Sequence, residues 1–129
     1  MRRPLLFIVL LLTAQAAVAQ WVQIARNEDL RLFIDRGDIR RSGDLATVWQ
    51  MVDYTTAQWL GPTVIMSIRN EVEVECNGRR MRTVAASAYT EQMGRGRMVV
   101  SEKAPAPEWA AVPPGGSAEA LWKIACGKE

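Results

Sequence analysis

The amino-acid sequence predicts an α+β fold: a mostly antiparallel sheet of about six strands, with a C-terminal helix tied to its core face by a disulfide. Three observations support this prediction. Apolar and polar residues alternate from Val64 to Cys76, a helical apolar period runs between Ser117 and Gly127, and each segment contains one cysteine, Cys76 or Cys126. Because both cysteines fall on the apolar side of their segment, a bond between them would hold the helix against the sheet.

The alternation between Val64 and Cys76 is typical of a half-buried strand. Every second side chain is apolar, with Asn70 as the polar interruption, whereas Ser67, Arg69 and the glutamates fall on the other face. Asn77-Gly78 follows, a strong hairpin signal because both residues tolerate the positive φ that a two-residue turn requires. We therefore expect the chain to turn back at this dipeptide.

A two-residue turn also fixes the register of the predicted hairpin. The expected pairs are Cys76–Arg79, Glu75–Arg80, Val74–Met81, Glu73–Arg82 and Val72–Thr83. In this register the outward carboxylates face arginines, and each such pair contributes roughly 0.2–1 kcal/mol. The turn chemistry and the pattern on both faces therefore predict the same hairpin.

Weaker patterns predict the rest of the sheet. The other expected strands are Trp21–Arg26, Leu30–Asp35, Leu45–Tyr54 and Met98–Ser101. The segment from Asp35 to Arg41 is interpreted as a turn. The segment from Lys103 to Gly116 is interpreted as an extended connector, because it contains four prolines.

The C-terminal segment has the signals of a short helix. Ser117 is the expected N-cap, Glu119 suits the first turn, and Gly127 stands where a C-cap glycine belongs. The apolar residues follow the spacing i, i+3, i+4, i+7 and i+8, which places them on one face. They are Ala118, Leu121, Trp122, Ala125 and Cys126.

The N-terminus has the three parts of a secretory signal peptide. Arg2 and Arg3 are followed by the apolar run Leu5 to Leu12 and by the small-x-small site Ala17-Val18-Ala19. We expect cleavage before Gln20, with Ala14-Gln15-Ala16 as an alternative site. The expected organisation is a signal peptide over residues 1–19 and a single domain over residues 20–129.

The predicted location is the periplasm or the medium. The apolar run is shorter than the ~18–20 residues that span a bilayer, so no membrane span is expected after cleavage. No cysteine precedes Cys76, so we expect no lipid anchor. Export also exposes the two cysteines to an oxidising compartment, which favours a Cys76–Cys126 disulfide over the alternative of two free thiols.

The charge balance gives no indication of a nucleic-acid partner. The chain has 16 Lys and Arg against 14 Asp and Glu, and Arg2 and Arg3 of the signal peptide account for the whole difference. The expected mature domain is therefore neutral, whereas nucleic-acid-binding domains are usually strongly basic.

The sequence contains no recognisable catalytic constellation. It has no histidine, which removes the usual general base and the commonest metal ligand, so we expect no catalytic residues, no metal and no cofactor. The row Glu71, Glu73 and Glu75 could bind calcium weakly or act in acid–base catalysis. The favoured interpretation is a solvated strand face neutralised by Arg80 and Arg82.

Four residues are candidate binding residues. Trp59 and Trp109 fall in predicted loops, where an exposed aromatic ring can anchor a partner. Arg95 and Arg97 belong to a local basic group that could hold an anionic partner. Arg36-Gly37-Asp38 spells a tripeptide that some cell-surface receptors bind, but within a predicted turn we interpret it as chance.

An ordered series of features resembles the surface-adhesin protein E family over essentially the whole mature chain. The matching elements are Trp21, Phe33-Ile34-Asp35, Asp38-Ile39-Arg40, Gly43, Val48 to Tyr54, Ser67, Cys76, Arg79-Arg80, Tyr89, Gly94, Gly96, Trp109, Pro113-Pro114 and Cys126. The resemblance implies an antiparallel sheet with a disulfide-tethered C-terminal helix. It also implies adhesion, by surface display and by binding of host matrix and serum proteins.

The leading functional hypothesis is therefore an exported, non-enzymatic binding module. Its expected partner is a protein, either a host matrix protein or a component of the cell envelope. The alternative hypothesis is a periplasmic structural or assembly factor that binds an envelope component. An enzyme that uses carboxylates or arginines is a further alternative, which the absence of histidine disfavours.

Overall fold

Residues 18–129, the part of the chain that the computed structural model describes, form seven strands, one 3₁₀ turn and one helix. The strands are β1 (Trp21–Arg26), β2 (Leu30–Asp35), β3 (Arg40–Ser42), β4 (Leu45–Leu60), β5 (Thr63–Glu75), β6 (Arg80–Tyr89) and β7 (Met98–Ala111). The 3₁₀ turn is Gln92–Gly94 and the helix is α1 (Ser117–Cys126). The predicted signal peptide, apart from Val18 and Ala19, lies outside the described residues.

The strands form one antiparallel sheet in the order β1-β2-β4-β5-β6-β7, and β3 pairs with the beginning of β4. This architecture, with its C-terminal helix and its Cys76–Cys126 disulfide, confirms the predicted fold class. The additional strand is β3, which lies partly within the segment predicted to be a turn. Within the described residues, no helix is long and apolar enough to cross a membrane.

The register of the β5–β6 hairpin is the predicted one at all four pairs from Val72–Thr83 to Glu75–Arg80. The turn itself differs from the prediction. Residues 76–79 form a four-residue loop, and the positive φ (51°) belongs to Arg79, not to Asn77 or Gly78. Asp44 explains the difference, because its carbonyl oxygen accepts from Cys76 N (2.8 Å) and its Oδ1 from Asn77 N (2.6 Å).

Two strands are longer than predicted. β4 continues from Tyr54 to Leu60, and β7 continues from Ser101 to Ala111 through a segment that the sequence indicated to be a connector. Prolines are tolerated in β7 because it is an edge strand, and three register shifts between β6 and β7 absorb the irregularity. Trp59 and Trp109 therefore lie in strands, not in loops.

The sheet buries a different face in each half. Near the disulfide, α1 covers Ala46 and Val48 of β4 and Val72 and Val74 of β5. Farther along β4 and β5, the buried residues are Met51, Asp53, Ile65 and Ser67, which the strand alternation places on the opposite face. The alternation of β5 is present, but the face predicted to be buried is wrong for the first half, where Ile65 and Ser67 are buried in place of Val64 and Met66.

Helix α1 ends as predicted but begins differently. Gly127 adopts the left-handed conformation (φ 67°) at the C-cap, whereas the N-cap is Gly116 and not Ser117. The first turn is held by Glu119, whose Oε2 accepts from Gly115 N (3.1 Å) and from Arg79 (3.2 Å). Hydrogen bonding from Lys123 and Gly115 lowers the pKa of Glu119.

Arg41 of β3 fixes the other end of α1. Its Nε donates to the carbonyl oxygen of Ala125 (2.7 Å) and its Nη2 to that of Ile124 (3.2 Å). A cation at the C-terminus of a helix satisfies carbonyl groups that have no intrahelical partner and complements the helix dipole. The short strand β3 thus positions a C-cap for a helix distant in sequence.

The disulfide gives a direct test of how α1 is attached. Cys76→Ala and Cys126→Ala should each lower the free energy of unfolding by about 4 kcal/mol, because each opens a cross-link between residues 50 positions apart. The double variant should lose no more than either single variant. Denaturant titration measures all three, and additive losses would show that the two residues stabilise the fold separately.

Candidate functional site

Trp59 is a strongly exposed large apolar residue. It lies near the end of β4, where 70% of its surface is accessible, and Leu60 beside it is 44% exposed. Trp59 pairs with Val64 in the hairpin that β4 and β5 form around Gly61 and Pro62. Pairing of β5 with β6 ends at Ser67–Tyr89, so the tip of this hairpin extends past β6.

Trp109, in contrast, is packed beneath arginines. The guanidinium carbon of Arg82 lies 4.4 Å from the centre of its ring, and that of Arg80 lies 5.8 Å away. The same arginines form ion pairs with Glu73 (2.9 Å) and Glu75 (2.8 Å). These contacts agree with the interpretation of the glutamate row as a neutralised strand face, and they give Trp109 a packing role.

Arg95 and Arg97 are exposed in the loop that joins β6 to β7. The loop folds back on itself, because Thr90 N donates to the carbonyl oxygen of Arg97 (3.0 Å) and Glu91 N to that of Arg95 (3.2 Å). The structure therefore places both arginines on one short, ordered loop.

Two buried polar residues hold this loop against the sheet. Ser67 Oγ donates to the carbonyl oxygen of Glu91 (2.6 Å) and accepts from Gly94 N (2.9 Å). Asp53 accepts from Met93 N (2.7 Å) through one oxygen and from Arg31 through the other. The sequence analysis did not identify Asp53 or Ser67 as anchors of this loop. Their pairing across β4 and β5, which puts the two polar side chains side by side, is the feature that indicates this role.

The four candidate binding residues do not form one site. Trp59 of β4 pairs with Val64 of β5. Trp109 stacks on Arg82 of β6, and Arg82 pairs with Glu73, which also lies in β5. At about 3.3 Å per residue, Val64 and Glu73 lie roughly 30 Å apart along β5. The exposed Trp59 and the partly buried Trp109 therefore belong to opposite ends of the sheet.

The tripeptide Arg36-Gly37-Asp38 is engaged in contacts within the fold. Arg36 donates to both carboxylate oxygens of Glu129 (2.9 and 2.6 Å), and this pairing lowers the pKa of Glu129. Gly37 N donates to Asp35, and Asp38 is paired with Arg40 (3.1 Å). All three residues of the motif therefore have intramolecular partners.

A cleft surrounds Arg69 on the sheet face opposite α1. The Arg69 guanidinium stacks on Trp49 at 4.0 Å, and its buried Nε has no hydrogen-bond partner among the described residues. Two adjoining depressions of about 290 and 330 Å³ share Arg69 and Ala19 as lining residues. The other lining residues include Trp21, Asp35, Arg40, Tyr89 and Met93.

Residues 18–129 contain no metal-binding cluster, because nowhere among them do three or more His, Cys, Asp or Glu side chains converge. The described surface instead carries an exposed aromatic tip, a basic loop and a shallow cleft. The sheet with its tethered helix defines the class of protein as a small disulfide-stabilised α+β domain.

Solved structures share this architecture. Crystal form II of Haemophilus influenzae protein E superposes with a TM-score of 0.70 at 15% identity, covering 87% of this chain and 91% of that one. Protein E from non-typeable Haemophilus influenzae gives a TM-score of 0.60 at 17% identity, with 84% of each chain covered. At this level of identity the likeness establishes the fold.

The family follows from the sequence itself. A family model described as surface-adhesin protein E matches residues 21–127, and the chain therefore belongs to the surface-adhesin protein E family. Among curated proteins, none matches the chain. The match confirms the resemblance that the ordered motifs indicated, and it supports an adhesin-like binding module.

The anchoring role of Ser67 can be tested by removing its hydroxyl group. Ser67→Ala should lower the free energy of unfolding by about 2 kcal/mol, because a donor and an acceptor of the loop lose their buried partner. Hydrogen exchange at the Gly94 amide should accelerate. Ser87→Ala, which removes a half-buried hydroxyl from β6, is the matched control and should change stability by less than about 0.5 kcal/mol. Equal effects of the two substitutions would contradict the anchor.

Proposed function

We propose that this chain is an exported, non-enzymatic binding module that recognises a protein partner through the tip of the β4–β5 hairpin. Membership of the surface-adhesin protein E family supports the binding role. The observation on which the choice of surface rests is the exposure of Trp59. A large aromatic side chain exposed at a projecting tip is suited to fill a pocket on another protein.

The shape of the hairpin supports this choice. Beyond Asp53 the β4–β5 pairing is interrupted by a bulge, and regular pairing resumes only at Gln58–Ile65. Thr55 secures the base of the tip, because its N and Oγ1 donate to carbonyl oxygens of the β1–β2 turn (2.9 and 2.8 Å). A tip held at its base presents Trp59 at a low entropic cost of ordering on binding.

The absence of enzymatic activity is also part of the proposal. The chain contains no histidine, and the carboxylates Asp53, Glu73 and Glu75 are each held by an arginine. These ion pairs engage the three carboxylates within the fold, so none of them is free to contact a substrate.

The partner is proposed to be a host matrix protein, with an envelope component as the alternative. Protease treatment of intact cells that express the native gene, with assay of the medium, separates the two. Cleavage of the protein on intact cells, or its release into the medium, would support an outward-facing partner. Protection until the outer membrane is opened would contradict the host partner and direct the search to the envelope.

Trp59→Ala tests the proposed contact surface. The exported protein, measured on a panel of immobilised extracellular-matrix proteins, should lose at least about tenfold in affinity, because a central aromatic anchor typically contributes 2 kcal/mol or more. Its melting temperature should stay close to that of the native protein, since the side chain is mostly in solvent.

The matched control is Leu45→Ala at the opposite end of β4, where the side chain is 40% exposed. This variant should bind as the native protein does. Equal losses in the two variants, or an unchanged affinity for Trp59→Ala, would rule out the hairpin tip as the binding surface. If the native protein binds no matrix protein on the panel, the host-protein proposal fails.

A further inference from the structure

Gln20, near the start of the described residues, is held in place by the fold. Its backbone N donates to Asp35 Oδ1 (2.9 Å), and its carbonyl oxygen accepts from Arg36 N (3.1 Å). Its side chain packs against Gly37, with Cγ and Cδ 3.2 Å from the position that a Cβ would occupy there. Val18, two residues earlier, is 83% exposed. Within residues 18–129, Gln20 is thus the first residue with backbone hydrogen bonds to the Asp35–Arg36 segment.

The acceptor of this contact is a buried carboxylate. Asp35 is 5% exposed, and its Oδ1 receives two backbone N–H groups, from Gln20 and from Gly37 (2.9 Å each). In residues 18–129 no cationic side chain forms an ion pair with it. A buried carboxylate is costly unless a positive charge or several donors compensate it.

The charged groups around Asp35 are occupied or set apart. Arg36, the next residue, is bound to Glu129, and Arg40 is bound to Asp38. Arg69 lines the same depression but stacks on Trp49. A cation placed at the nitrogen of Gln20 would therefore complete the site, since that atom is already within hydrogen-bond distance.

We propose that the precursor is cleaved between Ala19 and Gln20 and that Asp35 is the binding site for the α-ammonium group that this cleavage creates. Hydrolysis breaks the C–N bond between the two residues. One water molecule supplies the second oxygen of the Ala19 carboxylate, and its two protons convert the Gln20 N–H into an ammonium group. The nitrogen that donates to Asp35 as a neutral amide then donates as a cation.

The ion pair exists only in the mature protein and joins the beginning of β1 to the end of β2. A charged donor to a carboxylate forms a stronger hydrogen bond than an amide does. Cleavage also removes Ala19, which lines both depressions beside Arg69. Processing therefore tightens the sheet edge and widens the cleft in the same step.

The test uses the full chain, exported by a bacterial host and purified from the exported fraction. Intact mass should show a chain that begins at Gln20 with a free amine. The pH dependence of N-terminal acetylation should give an α-amine pKa at least about one unit above the ordinary ~7.7–8.0, because a carboxylate stabilises the ammonium form. Asp35→Asn should return this pKa to its ordinary range, whereas Asp38→Asn, a neighbouring carboxylate, should leave it raised.

Stability gives a second readout with a defined sign. Because folding raises the pKa of the amine, the added stability is complete below the ordinary pKa and is lost as the pH rises through the raised value. The difference in melting temperature between the native protein and Asp35→Asn should therefore shrink from pH 7 to pH 11. A loss of packing caused by Asp35→Asn would lower the melting temperature equally across this pH range, because packing does not depend on the charge of the amine.

Three results would overturn the proposal. One is a mature chain that begins at another residue, since its amine would lie away from Asp35. Another is a mass lower by one ammonia, which would mean that Gln20 has closed into a ring on its own amine. The third is an ordinary α-amine pKa in the native protein, and this measurement needs no variant to fold.

Discussion

The β4–β5 ladder is the constraint on which the rest of the structure depends. Its register runs without a break from Leu45–Glu75 to Asp53–Ser67, so the direction of every side chain in this stretch is fixed by alternation. β2 and β3 pair with β4, and β6 pairs with β5. Each added element must cover whichever face the ladder presents at that point.

Two elements, α1 and the 3₁₀ turn, cover the two buried faces of the ladder. At one end α1 packs on Val48 and Val72, and the disulfide, Arg41 and Glu119 hold it there. At the other end the 3₁₀ turn covers the opposite face, where buried polar groups replace a covalent bond. The amide N–H groups of a short turn need acceptors when they are buried, which explains why Ser67 and Asp53 lie beneath it.

The features that the sequence predicted were those with local causes. The β5–β6 register follows from the alternation and the charge pairs of two strands that are neighbours in the sequence. β3 was missed because its residues Arg40–Ser42 have no apolar pattern, and Arg41 acts on a carbonyl 84 residues away. The change of buried face at Met51 and Ser67 was missed because it depends on the 3₁₀ turn Gln92–Gly94, which is distant from β4 in the sequence. The continuation of β7 beyond Ser101 was missed because of prolines that only an edge strand tolerates.

The elements that stabilise the fold and the exposed Trp59 lie at opposite ends of the sheet. The disulfide, the helix and most of the apolar core lie at the end of the sheet marked by Cys76. Trp59 lies at the other end, beyond the last β5–β6 pair, where little of the core depends on it. A sheet clamped at one end can therefore tolerate substitutions at the hairpin tip with little loss of stability, because changes at the tip leave the clamped end intact.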